Sequence, residues 1–276
     1  YDWVPSIGVK YTLGVDGIGF PLVLLSTIVS VLVIIYSWGE TKKPNQYFAL
    51  LLLNEVGVLG VFTALDFFLF YIFWEVVLIP MFFLIGSWGG PRKDYAAIKF
   101  FIYTHVASLV MLLAIFALYF TYQLPDGSRT FDMLTLLKAT QNPEIFPPAL
   151  LNIIFAGLLL GFLVKMPAFP FHTWLPDAHV EAPTAGSVVL AALLLKMGGY
   201  GLFRIIVPML PSVDKIFVTI IAIIAVLSIV YGAFLALAQK DIKKLVAYSS
   251  VSHMGFVTLG AVALVPLSIQ GAMFQQ

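Results

Sequence analysis

Cysteine is absent from the 276 residues of this chain. That absence excludes disulfide bonds, thiolate-bound iron–sulfur clusters, covalently attached haem and cysteine nucleophiles on this chain. If the protein takes part in redox chemistry, its electrons must therefore travel through other chains.

Charged residues are scarce: they make up 11% of the chain, while 61% of its residues are hydrophobic and its mean hydropathy is +1.01. A soluble domain has about 25% charged and about 45–50% apolar residues, so a soluble globular protein is excluded. A net charge of only +1, without a basic tract, also excludes nucleic acid as a partner. A cleavable signal peptide is not expected, because the first apolar run, which begins near Ile18, is too long and follows no basic segment.

Eight apolar stretches are long enough to span a lipid bilayer, for which one helix needs about 20 residues. We therefore predict an all-α integral membrane protein with eight spans and a ninth that begins after Pro266. Because the chain begins with Tyr1 instead of methionine and ends inside this last apolar run, we expect a piece of a longer protein. The predicted spans are Ile18–Trp38, Tyr47–Leu65, Phe67–Trp88, Ala96–Tyr122, Leu150–Met166, Thr184–Val207, Ile216–Ala238 and Leu245–Val265.

The basic residues of the loops predict the orientation of these spans. Loops alternate between the two sides of the membrane, and cytoplasmic loops carry the excess of lysine and arginine. We therefore predict that the side with more basic residues is cytoplasmic and that Tyr1 lies on the other side, provided that the region 150–183 crosses once. The first side carries Lys42, Lys43, Arg92, Lys93, Lys240, Lys243 and Lys244, and the other carries Lys10, Arg129, Lys138, Arg204 and Lys215.

Prolines at the end of the fifth span predict a discontinuous helix. Pro167 and Pro170 have no N–H with which to bond the carbonyls of Leu163 and Met166, so the helix should break beside Lys165. Irregular backbone at membrane depth is tolerated only where it is buried in protein or lines a watery cavity. We expect the freed carbonyls to face water or polar groups, and a short half-helix to resume before the sixth span. An interrupted hydrophobic segment is also a strong sequence signal for a transport site.

Ionisable residues inside the predicted spans require an explanation, since inserting each charge at mid-bilayer costs at least ~2.5–3.5 kcal/mol of free energy. Glu75, Lys165 and Lys196 lie so deep that packing alone does not explain them, and we interpret them as groups that carry protons. His253, near the middle of the eighth span, joins this set. Because each charge costs less when it is paired, we predict that Glu75 and Lys165 lie within direct or one-water reach.

Two further buried groups leave two interpretations open. Glu55, in the second span, and His105, in the fourth, could extend the path for protons. They could equally be hydrogen-bonded groups inside a packed helix bundle.

Four polar residues follow the helix break and could also belong to the path. Asp177 and Glu181 share a helical face by their i,i+4 spacing, with His179 beside them. We expect these three and His172 to line a water-filled mouth or to cap the start of a helix. His172 and His179 are seven residues apart, a poor spacing for a zinc pair, so we expect no metal site. Neither a phosphate loop nor a nucleophilic triad can be built from the sequence.

The longest distinctive motif is the run from Val164 to Val188, which contains Lys-Met-Pro-Ala-Phe-Pro-Phe-His-Thr-Trp-Leu-Pro-Asp-Ala-His-Val-Glu-Ala-Pro-Thr-Ala-Gly-Ser. Two further motifs are Trp74-Glu75 and the run from Tyr248 to Gly255. In these motifs the chain resembles the antiporter-like membrane subunits of respiratory complex I, and most of all the M type, chain 4 of NADH:quinone oxidoreductase. The sequence that follows Pro176-Asp177 distinguishes the M type from the related L and N types.

The resemblance implies a proton-translocating subunit with no redox centre of its own. It implies that Glu75 pairs with Lys165 at the broken helix, that Lys196 is the central connecting lysine, and that His253 is a linking histidine. NADH, flavin, iron–sulfur clusters and quinone would lie on partner subunits of the same complex, with no cofactor on this chain. The membrane would be a bacterial or archaeal cell membrane, a mitochondrial inner membrane or a thylakoid membrane.

The resemblance also implies a fold of about fourteen spans in two inverted five-helix repeats. This chain would be one antiporter-like domain over 1–276, with the first repeat in 46–208 and the start of the second in 214–276. The broken helix and exit residue of the second repeat would be missing. Three alternatives stay open: a multisubunit cation/proton antiporter, a membrane-bound hydrogenase or coenzyme-F420 oxidase subunit, and a scaffold bundle that transports nothing.

Overall fold

A computed structural model describes residues 1–276, and the chain is mostly helical. The prediction of an α-helical membrane protein is confirmed, with one addition. Two short strands, β1 (Asp2–Val4) and β2 (Val9–Lys10), form an antiparallel pair ahead of the first span. All eight predicted spans are present, with ends within about five residues of the predicted ones: Gly19–Gly39, Pro44–Thr63, Phe67–Trp88, Lys93–Thr121, Pro148–Lys165, Thr184–Ser212, Ile216–Leu237 and Ile242–Val262.

The first two spans are regular helices, α1 (Gly19–Tyr36) and α2 (Pro44–Thr63). Asp16 begins the first one, because its Oδ1 accepts the N–H groups of Ile18 at 3.1 Å and Gly19 at 3.0 Å. These N–H groups have no partner inside the helix, so the carboxylate satisfies them. The proline that opens α2 stands where its missing N–H costs nothing.

The third span is divided at Val77 into α3 (Phe67–Val76) and α4 (Leu78–Trp88). Pro80 explains the division, because it has no N–H for the carbonyl four residues before it. The side chain of Asn54 from the second span donates to the Val77 carbonyl at 3.4 Å. The irregular backbone of this span therefore lies directly after Glu75.

The fourth span is the long helix α5 (Lys93–Thr121), and a connection that contains α6 (Met133–Ala139) leads to α7 (Pro148–Lys165). Helices α5 and α7 pack closely through glycine. A Cβ atom at Gly161 would lie 2.8 Å from the Met111 Cβ atom, so only glycine allows this approach. The close packing places the end of α7 against the middle of α5.

The predicted break after α7 is present, and the half-helix α8 (Trp174–Glu181) follows it. One detail of the prediction was wrong. The Leu163 carbonyl is not free, because the chain turns so that the Ala168 N–H donates to it at 2.9 Å. The Val164 carbonyl is likewise bonded, by the Trp174 indole at 3.0 Å. Nearby donors therefore satisfy these two carbonyls, whereas the Met166 carbonyl accepts no hydrogen bond within the chain.

Two π-helical turns interrupt the sixth span, which the sequence predicted as one regular helix. Such turns are rare and occur often at functional sites. Lys196 lies directly after the first of them. The segments are α9 (Thr184–Val189), the π turn Leu190–Leu194, α10 (Leu195–Gly201), the π turn Leu202–Ile206, α11 (Val207–Met209) and a 3₁₀ turn, Leu210–Ser212.

The last two spans form the antiparallel pair α12 (Ile216–Leu237) and α13 (Ile242–Val262). A further helix, α14 (Pro266–Gln275), begins at the predicted residue. The pair packs against α8, so the half-helix is held between the fourth span and the eighth. The division into repeats at 46–208 and 214–276 stays a prediction.

Contacts between loops confirm which loops share a side of the membrane. Arg92 follows the third span and its backbone N–H donates to Glu181 of α8, while Lys243 at the start of α13 donates to the Ala182 carbonyl. At the other end of the bundle, Arg204 pairs with Asp16. The region 150–183 therefore crosses once, as predicted, and the identity of the cytoplasmic side stays a prediction.

Candidate functional site

Lys165 is the last residue of α7 and is 1% exposed. Its Nζ atom has no hydrogen-bond partner within the chain. The ammonium instead lies over two aromatic rings, 5.5 Å from the centroid of Trp74 and 5.9 Å from that of Phe100. Aromatic faces attract a cation but accept no proton from it. A buried lysine with no hydrogen-bonded partner is costly as a structural element and fits a group that gains and loses a proton.

Glu75 occupies the last turn of α3, next to Trp74 in sequence. Its carboxylate hydrogen-bonds with His105 Nδ1 at 2.9 Å and accepts a short hydrogen bond from the Ser108 hydroxyl. A direct ion pair with Lys165 is absent from the structure, but Trp74, the neighbour of Glu75 in sequence, has its ring centroid 5.5 Å from Lys165 Nζ. Contact through one water molecule stays a prediction. The glutamate is therefore bonded to a histidine and a serine on α5, and its neighbour Trp74 packs against the buried lysine of α7.

His105 thus joins the site, which the sequence left open. It lies on α5 with Ser108 one turn further along, so that both face the third span. The imidazole ring also stacks on Phe101 at a centroid distance of 5.1 Å. Ser108 was missed by the sequence analysis. Its spacing of three from His105 is the signal that could have identified it, since residues i and i+3 share a helical face.

The two acids of the half-helix form ion pairs with basic residues of the fourth span and the loop before it. Asp177 lies 2.7 Å from Lys99 Nζ and 3.2 Å from the Arg92 guanidinium. Glu181 accepts the Arg92 backbone N–H at 2.9 Å, and its carbonyl accepts the Gly90 N–H at 2.8 Å. These contacts fix the end of α8 to the basic side of the bundle. Both acids therefore anchor the half-helix, and the expectation that they line a water-filled mouth or cap a helix start stays a prediction.

The two histidines after the break are buried, and neither imidazole ring forms a hydrogen bond within the chain. His172 is 4% exposed and packs beside Phe169 and Tyr231. His179 is 3% exposed and lies in α8 beside Lys243. The fully buried unpaired atoms are His172 Nδ1 and His179 Nε2. Buried polar atoms of this kind are rare and mark sites where water or a proton can bind.

A cavity of about 230 Å³ lies between the half-helix, α9 and the start of α13. Its polar lining includes His179, Ser187 and Lys243. The lining also includes Ala191, whose carbonyl accepts a hydrogen bond from Lys196 Nζ at 2.9 Å. This cavity is open and mostly apolar, and its lining extends from Lys243 at the basic side to Ala191, which holds the Lys196 ammonium. Lys243 was counted in the sequence only as a loop charge.

Glu55 and His253 lie apart from this cluster. Glu55 lines a second cavity of about 10 Å³ together with Ser30 and Asn54, whose Oδ1 atom is buried without a partner. A volume of this order holds about one water molecule. His253 is exposed on α13, and its side chain forms no hydrogen bond within the chain. The structure thus brings together Glu75, His105 and the region of Lys165, but not His253.

A sequence model of the family described as NADH:quinone oxidoreductase/Mrp antiporter, TM, matches residues 64–276. The chain belongs to this family. The M-type resemblance is also confirmed, since NADH-quinone oxidoreductase subunit M of Rickettsia conorii is 42% identical over the whole chain. F(420)H(2) dehydrogenase subunit M of Methanosarcina mazei is 52% identical, again over the whole chain.

Solved structures agree with the family assignment. A chain of respiratory complex I from Thermus thermophilus matches with a TM-score of 0.84 and 33% identity, over 99% of this chain and 56% of that one. A chain of the Mrp complex from Dietzia sp. matches with a TM-score of 0.85 and 26% identity, over 99% of this chain and 29% of that one. The chain spans about half the length of the curated relatives it matches: 54% of the Rickettsia subunit and 55% of the Methanosarcina subunit.

Proposed function

We propose that this chain is a proton-translocating membrane subunit of a redox-driven dehydrogenase complex. One observation carries the proposal: Lys165 is buried at the end of a broken helix, has no hydrogen-bond partner, and packs against Trp74, the neighbour of Glu75 in sequence. Quinone reduction on neighbouring subunits would supply the driving force. NADH, flavin, iron–sulfur clusters and quinone would bind those partners.

Glu75 would control the charge of Lys165. Removal from water disfavours the charged form of a lysine, and a nearby carboxylate favours it. When Glu75 turns towards Lys165, the lysine holds its proton. When Glu75 turns back to His105 and Ser108, with which it is bonded in this structure, the lysine releases the proton.

The released proton needs an acceptor and a route. Lys196 is the next lysine of the path, and its ammonium contacts the wall of the cavity that opens between His179 and Lys243. Water in this cavity would exchange protons between Lys196 and the basic side of the membrane. His253 would take the proton onward at a later step, on the face of α13 that is exposed in this chain.

Replacement of Lys165 by methionine tests the proposal, because it removes the carrier and keeps the apolar stem. In vesicles that contain the assembled complex, Lys165→Met should abolish formation of ΔpH and slow the coupled electron transfer. Lys138→Met, at an exposed lysine of α6, is the matched control and should leave both rates unchanged. Near-normal pumping by Lys165→Met in an assembled complex would show that the lysine is structural and would favour a scaffold.

The electron donor has a second candidate. The Methanosarcina relative, an F(420)H(2) dehydrogenase subunit, is 52% identical to the chain, whereas the Rickettsia subunit M is 42% identical. The higher identity makes reduced coenzyme F420 a second candidate donor beside NADH. Oxidation assays with each donor on the complex purified through this chain would decide between them. A complex that oxidises neither donor but exchanges cations for protons would be an antiporter.

A further inference from the structure

An apolar groove of about 310 Å³ lies between α2 and α4 at the basic side of the bundle. It continues along the membrane as the exposed apolar faces of the same helices, where Leu53 is 42% exposed, Val56 54% and Ile79 51%. The groove is lined by Gln46, Ala49, Leu50, Phe83, Ser87 and Trp88.

Two ammonium groups converge at the end of this groove. Lys42 Nζ donates to the Ser87 carbonyl at 2.6 Å, and Lys93 Nζ donates to the same carbonyl at 3.3 Å. The two nitrogens therefore lie within about 6 Å of each other. Neither forms an ion pair with a carboxylate, in contrast to Arg92 on the same side, which pairs with both acids of α8. Two positive charges held on one neutral oxygen repel each other, and an anion between them would remove that repulsion.

The loop that presents Lys42 is fixed in place. The Trp88 indole N–H donates to the Lys42 carbonyl at 2.7 Å, and the ring packs against Tyr47 at a centroid distance of 5.2 Å. Tryptophan is enriched at the level of lipid headgroups. The two ammonium groups thus meet the groove at Ser87, as the phosphate of a phospholipid meets its acyl chains.

We propose that this groove binds an anionic phospholipid, with its phosphate between Lys42 and Lys93 and one acyl chain in the groove. Basic pockets between membrane helices on the cytoplasmic side hold anionic headgroups in this way. A free phosphate ion would satisfy the lysines but leaves the groove unused, and a carboxylate from a partner subunit would use neither the groove nor its continuation. The site is independent of the proton path, because none of its residues belongs to the cluster around Lys165.

The test uses the whole complex in phosphatidylcholine vesicles that contain a trace of phosphatidylglycerol with a photoactivatable acyl chain. Labelling should map to the peptides of the groove and saturate as the fraction of probe lipid rises. Lys42→Gln combined with Lys93→Gln should weaken the apparent affinity roughly 30-fold, the effect expected for two lysines near a phosphate. Lys240→Gln combined with Lys244→Gln removes two charges from the same side away from the groove and should have no effect. Ala49→Phe fills the groove, retains both lysines, and should also reduce labelling.

Three results would overturn the proposal. Equal labelling by a phosphatidylcholine probe would show that the groove does not recognise the anionic headgroup. Displacement by inorganic phosphate, with labelling unaffected by Ala49→Phe, would show an ion site without an acyl chain. Cross-links between the groove and another subunit, in place of lipid, would show that a protein covers this face.

Discussion

Ser108 holds the Glu75 carboxylate beside His105, and its hydroxyl can be removed without changing any charge. A hydrogen bond to a charged group contributes about 1.5–3 kcal/mol. Without it, Glu75 should turn more readily towards Lys165 and keep the lysine protonated. We therefore expect Ser108→Ala to slow proton pumping roughly tenfold or more in a complex that assembles normally.

The measurement for Ser108→Ala is the initial rate of ΔpH formation in vesicles, taken together with the rate of electron transfer. Ser249→Ala is the control, because the Ser249 hydroxyl bonds only to a carbonyl of its own helix, that of Val246 at 2.8 Å. A Ser108→Ala complex that pumps at the normal rate would show that the position of Glu75 does not depend on this contact.

Asp16, in the loop before α1, gives a prediction for the dependence of stability on pH. Partial burial works to raise the pKa of this carboxyl, but hydrogen bonds from the Gly19 N–H and from Arg204 outweigh it and hold the pKa below its usual 3.8. A lowered folded-state pKa stabilises the fold above the unfolded-state pKa, and that contribution is lost as pH falls through the folded-state pKa. The difference in thermal midpoint between the native chain and Asp16→Asn should therefore be present at pH 7 and shrink below about pH 4.

Asparagine at this position retains the ability to begin α1, so the comparison isolates the charge. Asp2→Asn, at an exposed carboxyl with no ion pair, should show no such difference at either pH. If the thermal midpoints of the native chain and Asp16→Asn differ by the same amount at pH 7 and pH 3, the role of the Arg204 ion pair is contradicted.

At the level of helices, the spans and the break could be predicted because their causes are local. Apolar runs of fixed length define the spans, and Pro167 and Pro170 define the break. The closure of the break by the Ala168 N–H depends on how the turn folds back, which no local pattern indicates. The π turn just before Lys196 has no proline or glycine signal either, since residues 190–194 read as an ordinary apolar helix. The partner of Glu75 depends on the packing of α5 against α3, which sequence spacing does not give.

The half-helix α8 offers a prediction at this scale. Its last turn and the residue after it are held by Lys243, whose ammonium donates to the carbonyls of Ala182 at 2.9 Å and Val180 at 3.3 Å. Lys243→Met should free these carbonyls, so that amide hydrogens of residues 174–182 exchange faster while those of α7 do not. Hydrogen exchange with mass spectrometry on the purified complex measures this. Lys244→Met changes the neighbouring lysine, whose side chain makes no hydrogen bond, and should leave exchange unchanged; equal effects of both variants would refute the role of Lys243.

At the level of the whole molecule, the ion pairs of the two ends of the bundle divide the loops into two sets. One set contains the seven basic loop residues and the end of α8, and the other contains the β1–β2 pair and the Arg204–Asp16 contact. The larger count predicts that the first set is cytoplasmic. In that orientation, the cavity beside Lys243 opens to the cytoplasm and would take up protons there.

The absence of cysteine makes this orientation measurable, because any cysteine introduced is the only one on the chain. Lys240→Cys lies in the exposed loop between α12 and α13, and Ser128→Cys lies in the exposed connection after α5. With sealed vesicles of known orientation, a thiol reagent that cannot cross the membrane should label Lys240→Cys from the cytoplasmic side and Ser128→Cys from the opposite side. Labelling of both from one side would refute the single crossing of residues 150–183. Labelling of Ser128→Cys from the cytoplasmic side and of Lys240→Cys from the opposite side would agree with the fold but reverse the predicted orientation. The cavity beside Lys243 would then face away from the cytoplasm, and the direction of proton uptake would be reversed.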